Sequence, residues 1–291
     1  RATEPTTTSL DDKETGVYRV DAEALAAALG DGVGLEDALK ENGDKLGGRS
    51  VWFQGRYALR SGWAGRMEAE MTVRQYGALR LMRSGVRVMD PNACYVGPQV
   101  QVGEGALLLP GTILRGRTVI GKNCEIGPNS MVRDCIVGEG VSINASQLNE
   151  STVEDGATVG PFAYIRPGCH VGPHVKVGDF VELKNSTIGE GTKISHLTYV
   201  GDSDVGGHVN FGCGTVTVNY DGAQKYRTTI GDNAFIGCNT NLVAPVKVGE
   251  GAYTAAGSTI TDEVPADSLA IARTRQTVKK QWAAKRRARR R

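Results

Sequence analysis

An apolar residue returns at every sixth position over a long stretch of the chain, beginning at Val96. Six matches neither the 3.6-residue period of an α-helix nor simple strand alternation, so each hexad is interpreted as a short strand and a turn. Glycine often follows the apolar residue, as expected at a sharp corner. The repeat therefore predicts a parallel β-helix. Its first seven members are Val96, Val102, Leu108, Leu114, Ile120, Ile126 and Val132.

The repeat then shifts phase several times and breaks once. A step of five residues brings in Val137, with Ile143 six residues later, and between about Thr217 and Thr229 the period is absent. We therefore predict one loop pushed out of the wall of coils. The later members are Val153, Val159, Ile165, Val171, Val177, Leu183, Ile188, Val205, Ile230, Ile236, Leu242, Val248, Thr254 and Ile260.

Three hexads closing one triangular coil would place residues 18 apart above one another, at the spacing of about 4.8 Å that separates paired strands. Arg166 and Lys184 are 18 residues apart. They are predicted to stack on one face, where two cations would hold a phosphate or a carboxylate. The alternative is that each pairs with a nearby acid such as Glu182.

His196 lies two residues after the apolar Ile194, and an imidazole can take up a proton near neutral pH. It is a candidate general base, with Glu182 or Asp202 orienting the ring. The alternative is a wall histidine bonded to a carbonyl. The expected loop carries Asn219, Tyr220 and Lys225 among other groups suited to an extended ligand, or it is a plain surface excursion.

Composition limits the class of protein. The chain has 291 residues, a net charge of +2 and no apolar run near the ~20 residues that cross a bilayer, so we expect a cytoplasmic globular protein. It begins with Arg, and we expect either a fragment of a longer protein or an incomplete gene model. Six cysteines without metal-type spacing predict reduced thiols and no metal site: Cys94, Cys124, Cys135, Cys169, Cys213 and Cys238.

Four segments are predicted along the chain. Residues 1–60 lack the repeat, residues 61–90 form a linker helix, residues 91–264 form the β-helix, and residues 265–291 form a C-terminal arm with a basic tail. A solvated tail is favoured over a nucleic-acid contact, because no aromatic platform or recognition motif lies nearby. Contact with coenzyme A phosphates is a further alternative.

Several blocks identify a family. The chain from about Gly85 to Trp282 closely resembles the acetyltransferase half of the bacterial bifunctional N-acetylglucosamine-1-phosphate uridyltransferase and glucosamine-1-phosphate acetyltransferase. Hexapeptide repeats alone mark a broad superfamily, but these blocks at this spacing are specific. They are Arg166-Pro167-Gly168, Gly178-Asp179-Phe180-Val181-Glu182-Leu183-Lys184, His196-Leu197-Thr198-Tyr199-Val200-Gly201-Asp202, Asn210-Phe211-Gly212-Cys213-Gly214-Thr215 and Asn219-Tyr220-Asp221-Gly222.

The resemblance implies an all-β fold, a left-handed parallel β-helix of hexapeptide repeats, after a short α/β remnant and the linker helix. It implies a homotrimer with sites between subunits. It also implies that acetyl is transferred from acetyl-CoA to the amine of glucosamine-1-phosphate, the step before UDP-N-acetylglucosamine. The alternatives are a hexapeptide acyltransferase with another amino-sugar acceptor, and a catalytically weakened trimer that only binds ligands.

The resemblance also implies roles for individual residues. His196 matches the general base, and Glu182 matches its neighbouring carboxylate. The substrate positions are Arg166 and Lys184 for the phosphate, Tyr199 and Asn210 for the sugar, and Lys225 as a loop lysine that reaches the site. The coenzyme positions are Asn219, Tyr220, Ala256 and Arg273, together with Cys213 and Cys238, where the family usually has Ala and Ser.

The first 85 residues resemble, weakly, the end of the family's uridyltransferase domain. Glu14-Thr15-Gly16-Val17-Tyr18 and Gln54-Gly55-Arg56 match two of its segments, but both lack the family's Asn. The glycine-rich nucleotide loop of that domain is absent from this sequence. We therefore predict no uridyl transfer by this chain and expect Mg²⁺ to be needed only for the missing half.

Overall fold

The computed structural model describes residues 62–289. The chain divides into two compact units, Arg1–Thr72 and Val73–Arg291, and the fold described here is that of the second. Helix α1 spans Gly62–Arg83 and helix α2 spans Trp282–Ala288. The predictions for residues 1–60 lie outside the described residues.

Within residues 62–289, thirty short strands, numbered in chain order, form three parallel sheets. Sheet A contains β1 Arg87–Val88, β4 Leu107–Leu108, β7 Glu125–Ile126, β10 Ser142–Ile143, β13 Thr158–Val159, β16 Lys176–Asp179, β19 Lys193–His196, β22 Asn210–Phe211, β25 Phe235–Ile236, β28 Tyr253–Thr254 and β30 Leu269–Ala270. Sheet B contains β2 Tyr95–Val96, β5 Ile113–Arg115, β8 Met131–Arg133, β11 Gln147–Asn149, β14 Tyr164–Ile165, β17 Glu182–Lys184, β20 Tyr199–Gly201, β23 Val216–Val218, β26 Asn241–Val243 and β29 Thr259–Ile260. Sheet C contains β3 Gln101–Val102, β6 Val119–Ile120, β9 Ile136–Val137, β12 Thr152–Val153, β15 His170–Val171, β18 Thr187–Ile188, β21 Ser203–Val205, β24 Thr228–Ile230 and β27 Val246–Val248.

Up to β29, successive strands visit sheets A, B and C in turn, so the chain winds as a three-sided parallel β-helix. The apolar member of each hexad points inward; Leu108, Ile165 and Leu242, for example, are completely buried. Even the weak member Thr254 is 2% exposed. The predicted fold class is therefore confirmed.

The paired strands extend beyond the predicted limits of 91–264. Val88 in β1 is buried and pairs with Leu108, and Ala270 in β30 pairs with Thr254. Both ends depart from a strict hexad period, because turns replace regular coils there. The repeat period therefore predicts the central coils of a solenoid better than its terminal coils.

Four of the six cysteines are core residues of this wall: Cys94, Cys124, Cys135 and Cys169. Burial raises the pKa of each of them, and that of Cys135 to about 11. All four are free cysteines. Cys213 is half-buried and Cys238 is exposed, so these two belong to a different environment.

Among the residues described, no helix combines the length and apolarity that crossing a bilayer requires.

Candidate active site

Five residues in successive coils occupy one edge of the prism, where sheet A turns into sheet B. Asp179 pairs with His196 in the register of β16 and β19. Pairing of Ile194 with Phe211 places Cys213 above His196, and the amide of Asn239 bonds to the Cys213 carbonyl at 2.8 Å. The A–B corner is the resulting column, which consists of Asp179, His196, Cys213, Cys238 and Ala256.

The residue after each corner position adopts a left-handed backbone conformation. Gly214, Asn239 and Gly257 do so at φ 77°, 55° and 74°, as glycine and asparagine readily can. Phe180 and Leu197 do so at 55° and 45°, which is unusual for bulky side chains. The backbone strain therefore falls beside Asp179 and His196, where it fixes the direction of two polar side chains.

Asp179 and His196 form a close pair on this corner. The Oδ1 atom of Asp179 lies 2.6 Å from Nδ1 of His196. Gly178 makes the close stacking possible, because a Cβ there would lie 2.0 Å from the Ser195 carbonyl oxygen. The hydrogen bond from His196 lowers the pKa of Asp179, so the carboxylate stays ionised and assigns the proton to Nδ1. Nε2 is left free on a ring that is 57% exposed.

The prediction that Glu182 or Asp202 orients the His196 ring is corrected by this contact. Glu182 instead binds Arg166 at 2.9 Å, and Asp202 binds Lys184 at 2.9 Å. One repeat unit of this coil has five residues instead of six. The residue that stacks on His196 is therefore 17 positions earlier in the chain rather than 18. When the shortened repeat units are counted, the sequence spacing identifies Asp179 as the residue that stacks on His196.

A second group, the cation cluster, lies at the far end of the strands of sheet B. It consists of Arg166, Lys184 and Lys225 together with the carboxylates of Glu182 and Asp202. Arg166 follows β14 and Lys184 ends β17, and the amide of Arg166 bonds to the Leu183 carbonyl at 2.9 Å. The predicted stacking of the two cations is therefore present, and so is the alternative that each pairs with an acid.

Asp202 is the buried centre of the cation cluster, with its side chain 7% exposed. Burial alone would raise its pKa, but hydrogen bonds from Asn185, Lys184 and Asn219 outweigh that effect and lower the pKa. The Asn185 amide donates at 2.7 Å, and the Asn219 amide makes a short bond. The same amide of Asn219 lies 3.4 Å from the Tyr199 hydroxyl. Asn219 is thus held inside the site.

Lys225 reaches the cluster from the loop that leaves the coils. A side-chain hydrogen-bonding contact with Lys184, and then the positive charge of Lys184, lower the pKa of Lys225. The hydrogen bond to Asp202 raises the pKa of Lys184. Three cations thus face two carboxylates, and the excess of positive charge suits an anion such as a phosphate.

The loop is a short self-bonded hairpin between β23 and β24, as the break in the repeat predicted. Tyr220 and Lys225 form an antiparallel bridge, and Asp221 accepts two backbone amides at 2.8 and 2.7 Å. Arg227 fastens its base: Nε and Nη2 contact the two oxygens of Asp204 at 2.8 and 2.5 Å, and Nη1 donates to the Asn185 carbonyl at 3.2 Å.

The remaining predicted residues lie apart from the cation cluster. Asn210 points outward from sheet A, in register with Lys193 and Phe235, so one chain does not bring it beside Tyr199. Tyr220 is 54% exposed and donates to the Gly222 carbonyl at 2.6 Å. Arg273 lies at the top of the A–B corner, where a Cβ on Gly257 would come within 3.7 Å of its Cδ.

The two groups define complementary chemistry on one face. The A–B corner offers a base with a free nitrogen, and the cation cluster offers an anion site at the other end of sheet B. Glu182 and Tyr199, which are register partners, lie on the strands between them. Within residues 62–289, no group of three side chains suited to binding a metal is present.

The repeats match the family model "Bacterial transferase hexapeptide (six repeats)" at residues 150–185 and 227–262. Fold and repeat therefore define the chain as a protein of the hexapeptide-repeat class. Within that class it is a relative of the bifunctional GlmU proteins, as the sequence blocks predicted. It is 46% identical to "Bifunctional protein GlmU" of Clostridium kluyveri over 279 residues and 51% identical to that of Clostridium novyi over 250 residues.

The alignments cover 92% and 86% of this chain but 61% and 54% of the two relatives. The chain thus spans little more than half the length of the curated relatives it matches. Among solved structures, an Arabidopsis UDP-N-acetylglucosamine acyltransferase aligns at 15% identity over 64% of this chain and 69% of that chain, with a TM-score of 0.36.

Proposed function

We propose that the chain is a glucosamine-1-phosphate N-acetyltransferase that uses acetyl-CoA and forms N-acetylglucosamine-1-phosphate. The observation that carries the proposal is the pairing of His196 with Asp179 on the A–B corner, on the same face as the positively charged cation cluster. Relatedness to the GlmU proteins supports it.

The acceptor fits across sheet B. Two strand residues span roughly 7 Å, a distance that the long side chains of the cation cluster can close toward a phosphate four bonds from the amine in glucosamine-1-phosphate. The phosphate would lie against Arg166, Lys184 and Lys225, and the sugar over Tyr199. The amine would then reach the A–B corner beside His196.

His196 would act as the general base in the transfer. As the amine nitrogen attacks the thioester carbonyl carbon, Nε2 takes the proton that the nitrogen loses, and the C–S bond breaks to release the coenzyme thiolate. The Asp179 carboxylate keeps the proton on Nδ1 and stabilises the imidazolium that forms. A positioned base of this kind typically contributes about 10²–10⁴-fold in rate.

The donor would lie along the upper A–B corner, past Cys213, Cys238 and Ala256, with Arg273 available to a coenzyme phosphate. Tyr220 and Asn219 would contribute from the loop. Asn210, which faces away from this site on sheet A, would serve a neighbouring subunit in the proposed homotrimer. Cytoplasmic localisation stays a prediction from composition.

The test is release of coenzyme thiol from acetyl-CoA with glucosamine-1-phosphate, comparing the wild-type chain with His196→Ala. We expect turnover that requires the phosphate and falls at least a hundredfold in the variant. Free glucosamine and other amino-sugar phosphates serve as control acceptors. Undiminished activity of His196→Ala would show that His196 is not the general base. Preference for another acceptor would show that the substrate is not glucosamine-1-phosphate.

No turnover by folded wild-type protein that still binds acetyl-CoA would favour a ligand-binding trimer instead. Calorimetry with acetyl-CoA separates this case from a failure to bind. Circular dichroism of His196→Ala checks that the coils persist, which we expect because the His196 side chain is exposed.

A further inference from the structure

The two accessible cysteines are neighbours on the A–B corner. Phe211 pairs with Ile236, so Cys213 and Cys238, two residues further on in each coil, occupy equivalent positions. The amide of Asn239 donates to the Cys213 carbonyl at 2.8 Å. A Cβ on Gly212 would lie only 2.4 Å from the Cys238 nitrogen, so the two backbones are in direct contact there.

Stacked residues in adjacent coils have Cα atoms about 4.8 Å apart. Disulfides bridge Cα atoms about 4.4–6.8 Å apart, so the backbone spacing is within the range of a disulfide. Both side chains leave the corner in the same direction, because both occupy the first position of the same turn. Both thiols are free and reachable from solvent, unlike the four in the core.

We propose that Cys213 and Cys238 are a modification site for low-molecular-weight disulfides, which oxidise the pair to a bridge between two coils. Cys238 is the more exposed and reacts first. Its thiolate attacks one sulfur of the small disulfide, forming a mixed disulfide and releasing one small thiolate. The Cys213 thiolate then attacks the Cys238 sulfur and releases the second small thiolate. The two protein thiols lose two electrons and two protons, and the small disulfide becomes two thiols.

The bridge would also affect the coenzyme, a consequence that rests on the proposed function. It would draw together two side chains of the groove assigned to acetyl-CoA, directly above His196. Bound acetyl-CoA would in turn cover both thiols and slow the oxidation. Reduction would restore the open groove, because no backbone bond changes.

The test is incubation of the full chain with glutathione disulfide, followed by intact-mass measurement and peptide mapping without reduction. We expect a mass lower by two hydrogens and a peptide linking Cys213 to Cys238, with the four core cysteines still free. The matched variants Cys213→Ala and Cys238→Ala should instead carry one glutathione on the remaining thiol. Stable mixed disulfides on the wild-type chain, or bridges between chains only, would overturn the proposal.

A parallel incubation with acetyl-CoA tests the modification site and the proposed function separately. Bridge formation that slows with acetyl-CoA, and activity that returns with a dithiol reductant, would support both. A bridge that forms at the same rate with saturating acetyl-CoA would support the modification site. It would contradict the assignment of acetyl-CoA to the groove along the A–B corner. Full acetyl transfer with no 213–238 bridge would keep the function and overturn the inference.

Discussion

The His196 imidazole owes its chemical role to a neighbour one coil below. Asp179 is ionised because the hydrogen bond from His196 lowers its pKa, and the strained turns at Phe180 and Leu197 aim both side chains outward. Glu182, by contrast, is occupied by Arg166. In the proposed mechanism, Asp179 therefore positions the base, and Glu182 shapes the anion site.

Asp179→Asn tests this division. Because the amide is uncharged and can present its NH₂ to Nδ1, the ring loses its fixed tautomer and the imidazolium loses its counterion. We expect kcat for acetyl transfer to fall about 10–100-fold, less than the 10²–10⁴-fold that a positioned base contributes because His196 itself remains, with KM for glucosamine-1-phosphate little changed. Steady-state kinetics measure the split, and ¹⁵N spectra of His196 report the tautomer.

Glu182→Gln is the matched control, because it changes a carboxylate on the same face that contacts Arg166. It should alter KM for the phosphate acceptor more than kcat, and leave the His196 spectrum as in the wild type. Asp179→Glu should recover part of the lost rate. Equal effects of Asp179→Asn and Glu182→Gln on kcat would contradict the assignment of Asp179 as the positioning residue.

At the scale of elements, the loop between β23 and β24 is the one irregular part of the site. Its hairpin holds itself together and is fixed to the coils at both ends, by Asn219 to Asp202 and by Arg227 to Asp204. Lys225 depends on this anchor to remain beside Lys184. The loop thus links an ion pair on sheet C with the cation cluster on sheet B.

Arg227→Ala should therefore weaken acceptor binding without touching the A–B corner. The pair is about half exposed, and such ion pairs contribute about 0.2–1 kcal/mol, so we expect KM for glucosamine-1-phosphate to rise up to about fivefold. Initial-rate kinetics test this, with kcat for the variant expected to stay close to the wild-type value.

Lys247→Ala is the control for removing an exposed cation. It breaks a looser pair with Glu263 at 3.7 Å and should leave KM unchanged. A wild-type KM for Arg227→Ala would contradict the claim that the Arg227 anchor supports acceptor binding. An equal rise in KM for Lys247→Ala would contradict it as well.

The regular elements could be predicted from the sequence because each coil buries its own apolar ladder, as Ile165 and Leu183 show in paired strands. The same period predicts that Arg166 and Lys184, 18 residues apart, stack in neighbouring coils. It failed at Asp179, because a side-chain contact depends on the accumulated slips in coil length. The ion pair of Arg227 and Asp204 could not be predicted either, because the repeat does not define the path of the loop that separates the two residues.

For the molecule as a whole, the polar surface of the site also affects stability in acid. Hydrogen bonds and ion pairs lower the pKa of Asp179, Asp202 and Asp204 below the ordinary value of 3.8. Between the lowered pKa and 3.8, the unfolded chain binds protons at these groups that the folded chain does not. Stability there rises with pH, so their contribution is complete above 3.8 and is lost as pH falls through the lowered values.

The urea midpoint of unfolding should accordingly fall as the pH is lowered from 5 toward 3. Asp202 is the most buried of the three and binds Lys184, Asn185 and Asn219, so Asp202→Asn should be less stable at pH 6 and lose less on acidification. Asp262→Asn, at an exposed aspartate outside the cluster, should follow the wild-type curve. Parallel curves for Asp202→Asn and wild type would show that acid acts elsewhere, because removing a group that titrates on unfolding must reduce the slope.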